Sequence, residues 1–215
     1  MRIVSGKYRH RKLQANPGQT TRPITDRVKV SLFDRLGPEL HDMRVADLFA
    51  GTGSLGFEAL SRGARSVVFM EHDRVAFDLL QHNVAALKAQ EDTFCWQTDV
   101  SRSSFRPKNA ERFLPFDVIF FDPPYSQTER LGPGQFLYRA LTRLARDDVS
   151  AAGALLVLRC GRATRFEIPP VWGVERQLDY SSMEVHLFRK RPTIAAPQNP
   201  SAADADAIGA HPPDA

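Results

Sequence analysis

Val45-Ala46-Asp47-Leu48-Phe49-Ala50-Gly51-Thr52-Gly53-Ser54-Leu55-Gly56 is a short apolar run that ends in a glycine-rich turn. A helical pattern follows, with Leu55, Ala59 and Leu60 on one face. Strand, tight loop and helix in that order mark the place where open α/β sheets bind ligands. Gly51 and Gly53 let the backbone take positive φ and let a ligand approach closely. The helix that follows points its unpaired N–H groups at whatever occupies the loop.

The same letters fit G-x-G-x-x-G, and Glu71 lies 20 residues after Gly51, as in a dinucleotide fingerprint. Asp47 argues for a different ligand. A carboxylate at the strand end suits a cationic, amine-bearing molecule better than a pyrophosphate, and S-adenosylmethionine carries an ammonium and a sulfonium without phosphate. The plainer alternative is that Asp47 caps the loop and the glycines only make a turn.

The chain of 215 residues is long enough for one good-sized core with a small appendage. No apolar run reaches the roughly 18 residues of a membrane span, and Met1 to Lys7 has charge but no apolar segment of a secretory signal. Cys95 and Cys160 sit in apolar, strand-like runs and read as buried thiols of a reducing, cytoplasmic compartment. The six histidines show no ligand spacing with each other or with the cysteines, so no metal is expected. The net charge of +4 conceals a gradient: residues 1–35 carry nine Lys/Arg against two Asp, whereas residues 192–215 carry three Asp and no Lys or Arg. A basic arm on a near-neutral body points to a polyanion such as nucleic acid, the alternative being a solvated basic segment.

Residues 1–14 read as two short strands around Gly6, with Lys7, Arg9, Arg11 and Lys12 set among Tyr8 and His10. Cations with an interleaved aromatic suit phosphate contacts and base stacking. After a Pro/Gly/Thr loop ending at Arg22-Pro23, Thr25 or Asp26 caps a helix carrying Arg27, with Val28, Leu32 and Leu36 buried and Gly37-Pro38 as its stop. Strands then alternate with helices: 66–71 ending on Glu71, a helix from Asp73 to about Lys88, 93–98 followed by Asp99, a polar 101–115 segment, 116–121, a helix over 135–146, and 153–159. An acid ending the second strand commonly accepts from ribose hydroxyls. Asp99 reads equally as an acceptor for an adenine amino group and as a turn residue. Two strand-like runs in 173–189 without a helix between them imply an antiparallel last strand, and the residues from 192 onward read as a disordered tail.

The strand at 116–121 runs into Asp122-Pro123-Pro124-Tyr125. Two prolines fix φ and hold the preceding residues extended. The turn therefore presents the Asp122 carboxylate and the Pro123 carbonyl as a rigid pair of acceptors with no competing donor. Two acceptors aimed at one point suit an exocyclic amine, and Tyr125 offers a face for its base. An aromatic amine is a poor nucleophile, and holding both its protons turns its nitrogen toward a methyl group and stabilises the charge that forms. A base inside a duplex cannot reach such a pocket, so the substrate is unpaired or flipped out.

Taken together, Arg2 to Leu13, Arg22-Pro-Ile-Thr-Asp-Arg-Val28 with Leu32-Phe33, Asp47 to Leu60 with Ser61-Arg-Gly-Ala64, Glu71-His-Asp73 and Asp122 to Tyr125 resemble the RsmD family. These are bacterial methyltransferases acting on N2 of a guanine in 16S ribosomal RNA. The chain departs from the family pattern at Val30-Ser31, at Asp34 and at Cys160-Gly161-Arg162. The resemblance implies a class I S-adenosylmethionine-dependent methyltransferase of the α/β class: a Rossmann-like seven-stranded sheet with a small basic N-terminal β extension. It implies that Asp47, Gly51, Gly53, Glu71 and Asp99, with Phe49, Ala50, His72 and Val100, hold S-adenosylmethionine. Asp122, Pro123, Pro124 and Tyr125 would hold the guanine, and Lys7, Arg9, Arg11, Lys12, Arg22 and Arg27 the RNA.

The expected organisation is a basic arm and first helix at 1–36, a methyltransferase domain at 37–191 and a tail at 192–215. The expected enzyme is a monomeric, metal-free, cytoplasmic methyltransferase acting on small-subunit rRNA. The alternatives are an adenine-N6 or cytosine-N4 methyltransferase acting on DNA or RNA, and a non-catalytic RNA-binding or ribosome-assembly protein on the same fold.

Overall fold

The second strand shows why the sheet is covered on both faces. In β2 (Ser66–Glu71), Val67 and Phe69 point to one side and Val68 and Met70 to the other, and all four are fully buried. Successive side chains of a strand alternate between faces, so an unbroken apolar run requires a layer on each. In this computed structural model, which describes residues 1–15 and 24–192, helices supply both layers. The loop expected over 16–23, with Arg22, and all but the first residue of the tail expected over 192–215 lie outside the described residues.

The remaining strands are β1 (Arg44–Leu48), β3 (Thr93–Gln97), β4 (Phe116–Phe121), β5 (Ser150–Gly161), β6 (Trp172–Asp179) and β7 (Met183–Lys190). Their order across the sheet is β3-β2-β1-β4-β5-β7-β6. The first five run parallel, and β7 pairs antiparallel with both β5 and β6. This is the doubly wound, seven-stranded class I plan, and the strand order reverses between β1 and β4. Helices α1 (Asp26–Leu40), α2 (Ser54–Ser61) and α3 (Arg74–Leu87) share one apolar cluster with Val45, Phe69 and Phe120. On the other face α5 (Phe136–Leu144) packs with Phe105 and Phe113 against Leu48, Met70 and Phe121.

Local chemistry sets the helix starts. The Thr25 hydroxyl accepts from the Val28 N–H (3.3 Å), and Asp73 accepts from the Ala76 N–H (2.8 Å). The stop expected at Gly37-Pro38 does not occur. The helix runs on to Leu40, whose side chain is fully buried, so tertiary packing overrides the break that proline usually imposes. The 101–115 segment contains a single 3-10 turn (Glu111–Phe113), and Phe105 within it is fully buried.

The N-terminal arm has less strand than expected: one bridge, Arg2 to Lys12, closes it. Ile3, Arg9, His10, Arg11 and Leu13 donate their backbone N–H groups to carbonyls within the arm, and three further donors go to α2. Val4 N–H donates to Glu58 (2.8 Å), Lys7 N–H to the Ser61 carbonyl (2.8 Å) and Tyr8 N–H to the Ser61 hydroxyl (2.8 Å). Gly6 sits at φ +77°, where a Cβ would lie 1.8 Å from the Ser61 carbonyl oxygen, so only glycine lets the arm lie this close. Beneath it, Lys29 and Glu58 are fully buried. The Lys29 ammonium donates to the Arg2 carbonyl, and Glu58 accepts from Arg62 (2.9 Å). Burial lowers the Lys29 pKa, with Glu58 and Asp26 opposing that effect.

Candidate active site

Register at the sheet centre brings the two motifs together. At one end of the β1–β4 pair, the Arg44 guanidinium holds Asp117 through two bonds (2.9 and 3.0 Å). At the other end Leu48 pairs with Phe121, so the chain leaves both strands at one level. Phe49 exits β1 at φ +60°, its ring edge-on to Phe121 at 5.5 Å. Between the exits lies a cavity of about 840 Å³ lined by Asp47, Phe49, Ala50, Gly51, Glu71, Asp122, Pro123, Pro124 and Tyr125. It sits at the carboxyl ends of the strands where the strand order reverses, the usual ligand crevice of open α/β sheets.

The two loop glycines have different tasks. Gly51 takes φ +56°, and a Cβ there would meet nothing within 4 Å, so its surface faces the cavity. Gly53, at φ +89°, precedes α2, and a Cβ there would lie 2.5 Å from the Phe57 ring and 2.7 Å from Leu80. Its requirement is packing beneath the loop, and it is not in the cavity wall. Of the other expected cofactor residues, Val100 is buried in the opposite cluster, and Asp99 accepts from the Ser101 N–H (2.8 Å) as a turn residue does. His72 is exposed beside Glu71, and none of these three lines the cavity.

The carboxylates are held differently. Asp47 is 1 % exposed and accepts from the Gly56 N–H of α2 (2.8 Å). Burial pushes its pKa well up, Gly56 opposes, and the nearby charges of Asp122 and Glu71 raise it further. Asp47 therefore both ties the loop to α2, as the plainer reading of the sequence has it, and contributes to the cavity wall. Glu71 accepts from Gly51 N–H (2.7 Å) through Oε2, and from His72 N–H (2.8 Å) and Asp73 N–H (2.7 Å) through Oε1. It clamps the glycine loop to the end of β2, and Oε2 keeps a lone pair for a further donor.

Asp122 stands on the last turn of the β4 exit. Its Oδ1 accepts from Arg159 Nε at 2.6 Å, with both side chains largely buried. The Pro124 carbonyl takes the Gln127 N–H (2.8 Å), which starts the short helix α4 (Tyr125–Thr128). The Tyr125 ring lies against Gly161, where a Cβ would be 3.5 Å away, and the Arg159 guanidinium is 6.0 Å from the ring centre. Arg159, Gly161 and Arg162 from the end of β5, and Met1, Ala15 and Ile24 from the N-terminal segment, also line the cavity. Sequence reasoning named Gly161 and Arg162 only as a departure from the family pattern, and did not single out Arg159, Met1, Ala15 or Ile24. The departure at Cys160-Gly161-Arg162 was a signal, but only the β4–β5 pairing puts that strand end beside Asp122.

The basic residues Lys7, Arg9, Arg11, Lys12 and Arg27 are all exposed. Tyr8 is not available for base stacking: it is 8 % exposed, inside the arm's contact with the body, with the Lys7 ammonium 5.2 Å from its ring centre. The arm must shield apolar surface as well as carry charge, and the aromatic serves the first need. On the face of β5 away from the cavity, strand pairing brings Cys160, Glu184 and His186 together, their ligand-type atoms within 4.8 Å of one another. No spacing in the sequence announces this group. Burial pushes the Cys160 thiol up to about 12, and His186 hydrogen-bonds Glu184 at 3.3 Å. Cys95 is half-buried on β3, and burial pushes its thiol up to about 12 as well. No helix among the described residues is long and apolar enough to cross a membrane.

The family model described as "Conserved hypothetical protein 95" matches residues 1–189. The putative rRNA methyltransferase YlbH of Bacillus subtilis is 33% identical over 194 residues, covering 89% of this chain and 100% of that protein. Ribosomal RNA small subunit methyltransferase D of Haemophilus influenzae is 41% identical over 130 residues, 58% of this chain and 64% of that protein. Among solved structures, the putative methyltransferase yhhF from Escherichia coli superposes with a TM-score of 0.74 at 27% identity, covering 90% of this chain and 99% of that one.

Proposed function

Because the chain belongs to the RsmD family, the "Conserved hypothetical protein 95" model matching it over residues 1–189, we propose that it methylates the exocyclic N2 of a guanine in 16S ribosomal RNA, with S-adenosylmethionine as methyl donor. The observation that carries this reading is the convergence of the glycine loop and Asp122-Pro-Pro-Tyr125 on one cavity. The wall suits the donor: Gly51 leaves open space where a side chain would project, and Asp47 and Glu71 present carboxylate to a cationic ligand. In this reading Asp47, Phe49, Ala50, Gly51 and Glu71 hold the donor, and Gly53 supports the loop from beneath.

When bound, S-adenosylmethionine supplies a methyl on a sulfonium, which the guanine N2 lone pair takes as the C–S electron pair returns to sulfur. Asp122 and the Pro123 carbonyl accept hydrogen bonds from the two N2 N–H groups, orienting the lone pair and offsetting the positive charge that develops on nitrogen. One of those protons then leaves to solvent, and Asp122 need not take it. Tyr125 stacks the base, and the two prolines keep the acceptors in place. Residues 1–36 form the RNA-contacting part, with Lys7, Arg9, Arg11, Lys12, Arg22 and Arg27 on phosphate, and residues 37–191 form the transfer domain. The protein acts as a monomer, without metal, in the cytoplasm.

The test is methylation with nucleoside readout. The protein is incubated with S-adenosylmethionine and, separately, unmethylated small subunits, free small-subunit rRNA and DNA. N2-methylguanosine from RNA alone is the expected product. Methyladenine or methylcytosine would keep the chemistry and refute the base. Cofactor binding without transfer to any of the three would favour the assembly-protein reading.

A further inference from the structure

Three carboxylates, Asp47, Glu71 and Asp122, reach one cavity from three parallel strands. Such groups disfavour one another's charge, and burial disfavours each of them singly. Among the described residues, Arg159 is the one cation hydrogen-bonded to any of the three. It comes from β5, the neighbour of β4, so its backbone is fixed by the sheet. It bonds Asp122 at 2.6 Å, with side chains 12% and 14% exposed, and lies 6.0 Å from the Tyr125 ring centre. The other Asp122 oxygen, Oδ2, accepts no hydrogen bond among the described residues. An ionised carboxylate so held has one oxygen fixed by arginine and one available to an amine. A protonated carboxyl would instead present an O–H donor to the amine's N–H, and the acceptor would be lost.

We propose that Arg159 is a positioning residue for methyl transfer: by pairing with Asp122 it keeps that carboxylate charged and fixed, so that Oδ2 can accept from the target amine. The proposal rests on the role assigned above to Asp122. Burial raises the Asp122 pKa, and the charge and hydrogen bond of Arg159 oppose it. Among the described residues, the other titratable or charged groups facing this corner are Asp47 from β1, Glu71 from β2, Tyr125 from α4, Arg162 after β5 and the N-terminal residue Met1.

The first test needs no substrate. In ligand-free Arg159→Met, Asp122 binds its proton more tightly in the folded than in the unfolded chain. Its contribution to stability is then complete below the unfolded value of 3.8 and is lost as pH rises through the raised folded one. The melting-temperature gap between wild type and Arg159→Met should therefore widen from pH 4 to pH 8. Arg159→Met/Asp122→Asn, which has no carboxyl to protonate, should show a gap that does not widen. The second test is the pH profile of transfer. The acid limb of kcat should move up by about one to three pH units in Arg159→Met, with partial return in Arg159→Lys, while the Kd values for RNA and S-adenosylmethionine stay within about twofold, well short of the tenfold that 1.4 kcal/mol represents. A constant melting gap, or an activity loss equal at every pH, overturns the proposal. If the melting gap widens as expected while wild type transfers no methyl to RNA, the pairing stands and the proposed function fails.

Discussion

Substituting alanine separately at Gly51 and Gly53 asks whether two neighbouring glycines of one loop have different tasks. Both take left-handed φ, +56° and +89°, which costs a residue bearing a Cβ about 1–2 kcal/mol. At Gly51 that is the whole cost to the fold, because the added methyl meets nothing within 4 Å. At Gly53 the methyl would lie 2.5 Å from Phe57 and 2.7 Å from Leu80, both fully buried and unable to swing away. Overpacking of this kind adds about 1–3 kcal/mol, for a total near ~3.5 kcal/mol. For a chain of this length 1 kcal/mol moves the melting temperature by about 2–4 °C. Gly53→Ala should thus melt about 10 °C below wild type, and Gly51→Ala only about 4 °C below. Binding should rank the other way. Calorimetric titration with S-adenosylmethionine should show at least a tenfold loss of affinity, about 1.4 kcal/mol, in Gly51→Ala, whose methyl projects into the cavity. Equal melting temperatures for the two variants would refute the packing argument. Wild-type affinity in Gly51→Ala would refute the placing of the donor against this loop.

Other outcomes follow from the arm and the buried acid. Gly6→Ala forces a Cβ to within 1.8 Å of the Ser61 carbonyl, so the arm must undock; filter binding should show weakened RNA affinity while S-adenosylmethionine binding is retained. Replacing exposed Arg9 and Lys12 together by alanine should flatten the dependence of log K on log salt by roughly 1.4 for single-stranded RNA, at about 0.7 per phosphate contact; an unchanged slope would remove both from the RNA contact. Asp47→Asn keeps an acceptor for the Gly56 N–H and removes a carboxyl whose pKa burial has raised. A raised carboxyl stabilises the fold fully below its unfolded value of 3.8 and progressively less as pH rises through the folded one. Ligand-free wild type should therefore lose melting temperature relative to Asp47→Asn between pH 4 and pH 8, and parallel curves would show that Asp47 is not held this way.

Much was legible in the sequence because it rested on local rules. The run 45–56 read as strand, loop and helix, and β1 and α2 occupy it. The 116–121 strand matches β4 residue for residue, and the antiparallel last strand follows from the missing helix before it. Periodicity, caps and proline stiffness act over a few residues, so a linear reading captures them. It failed where distant partners decide. Gly37-Pro38 carried the local signal of a helix end, yet burial of Leu40 draws α1 two residues past Pro38. Tyr8 looked like a stacking platform and is a packing residue, because the arm must cover apolar surface of α1 and α2. Gly53 fitted a ligand-binding fingerprint, although its constraint comes from Phe57 and Leu80 beneath it.

The sequence by itself determined the α/β class, the two motifs and the basic arm, since each is written in contiguous residues whose conformational preferences and charges are their own. Tertiary structure decided the company those residues keep. Parallel pairing of β4 with β5 sets Arg159 on Asp122, 37 positions away along the chain. The pairing of β5 with β7 gathers Cys160, Glu184 and His186, and α2 receives the arm through Ser61 and Glu58. A buried charge must find its partner wherever the fold supplies one, and no local preference of the chain records which strand that will be.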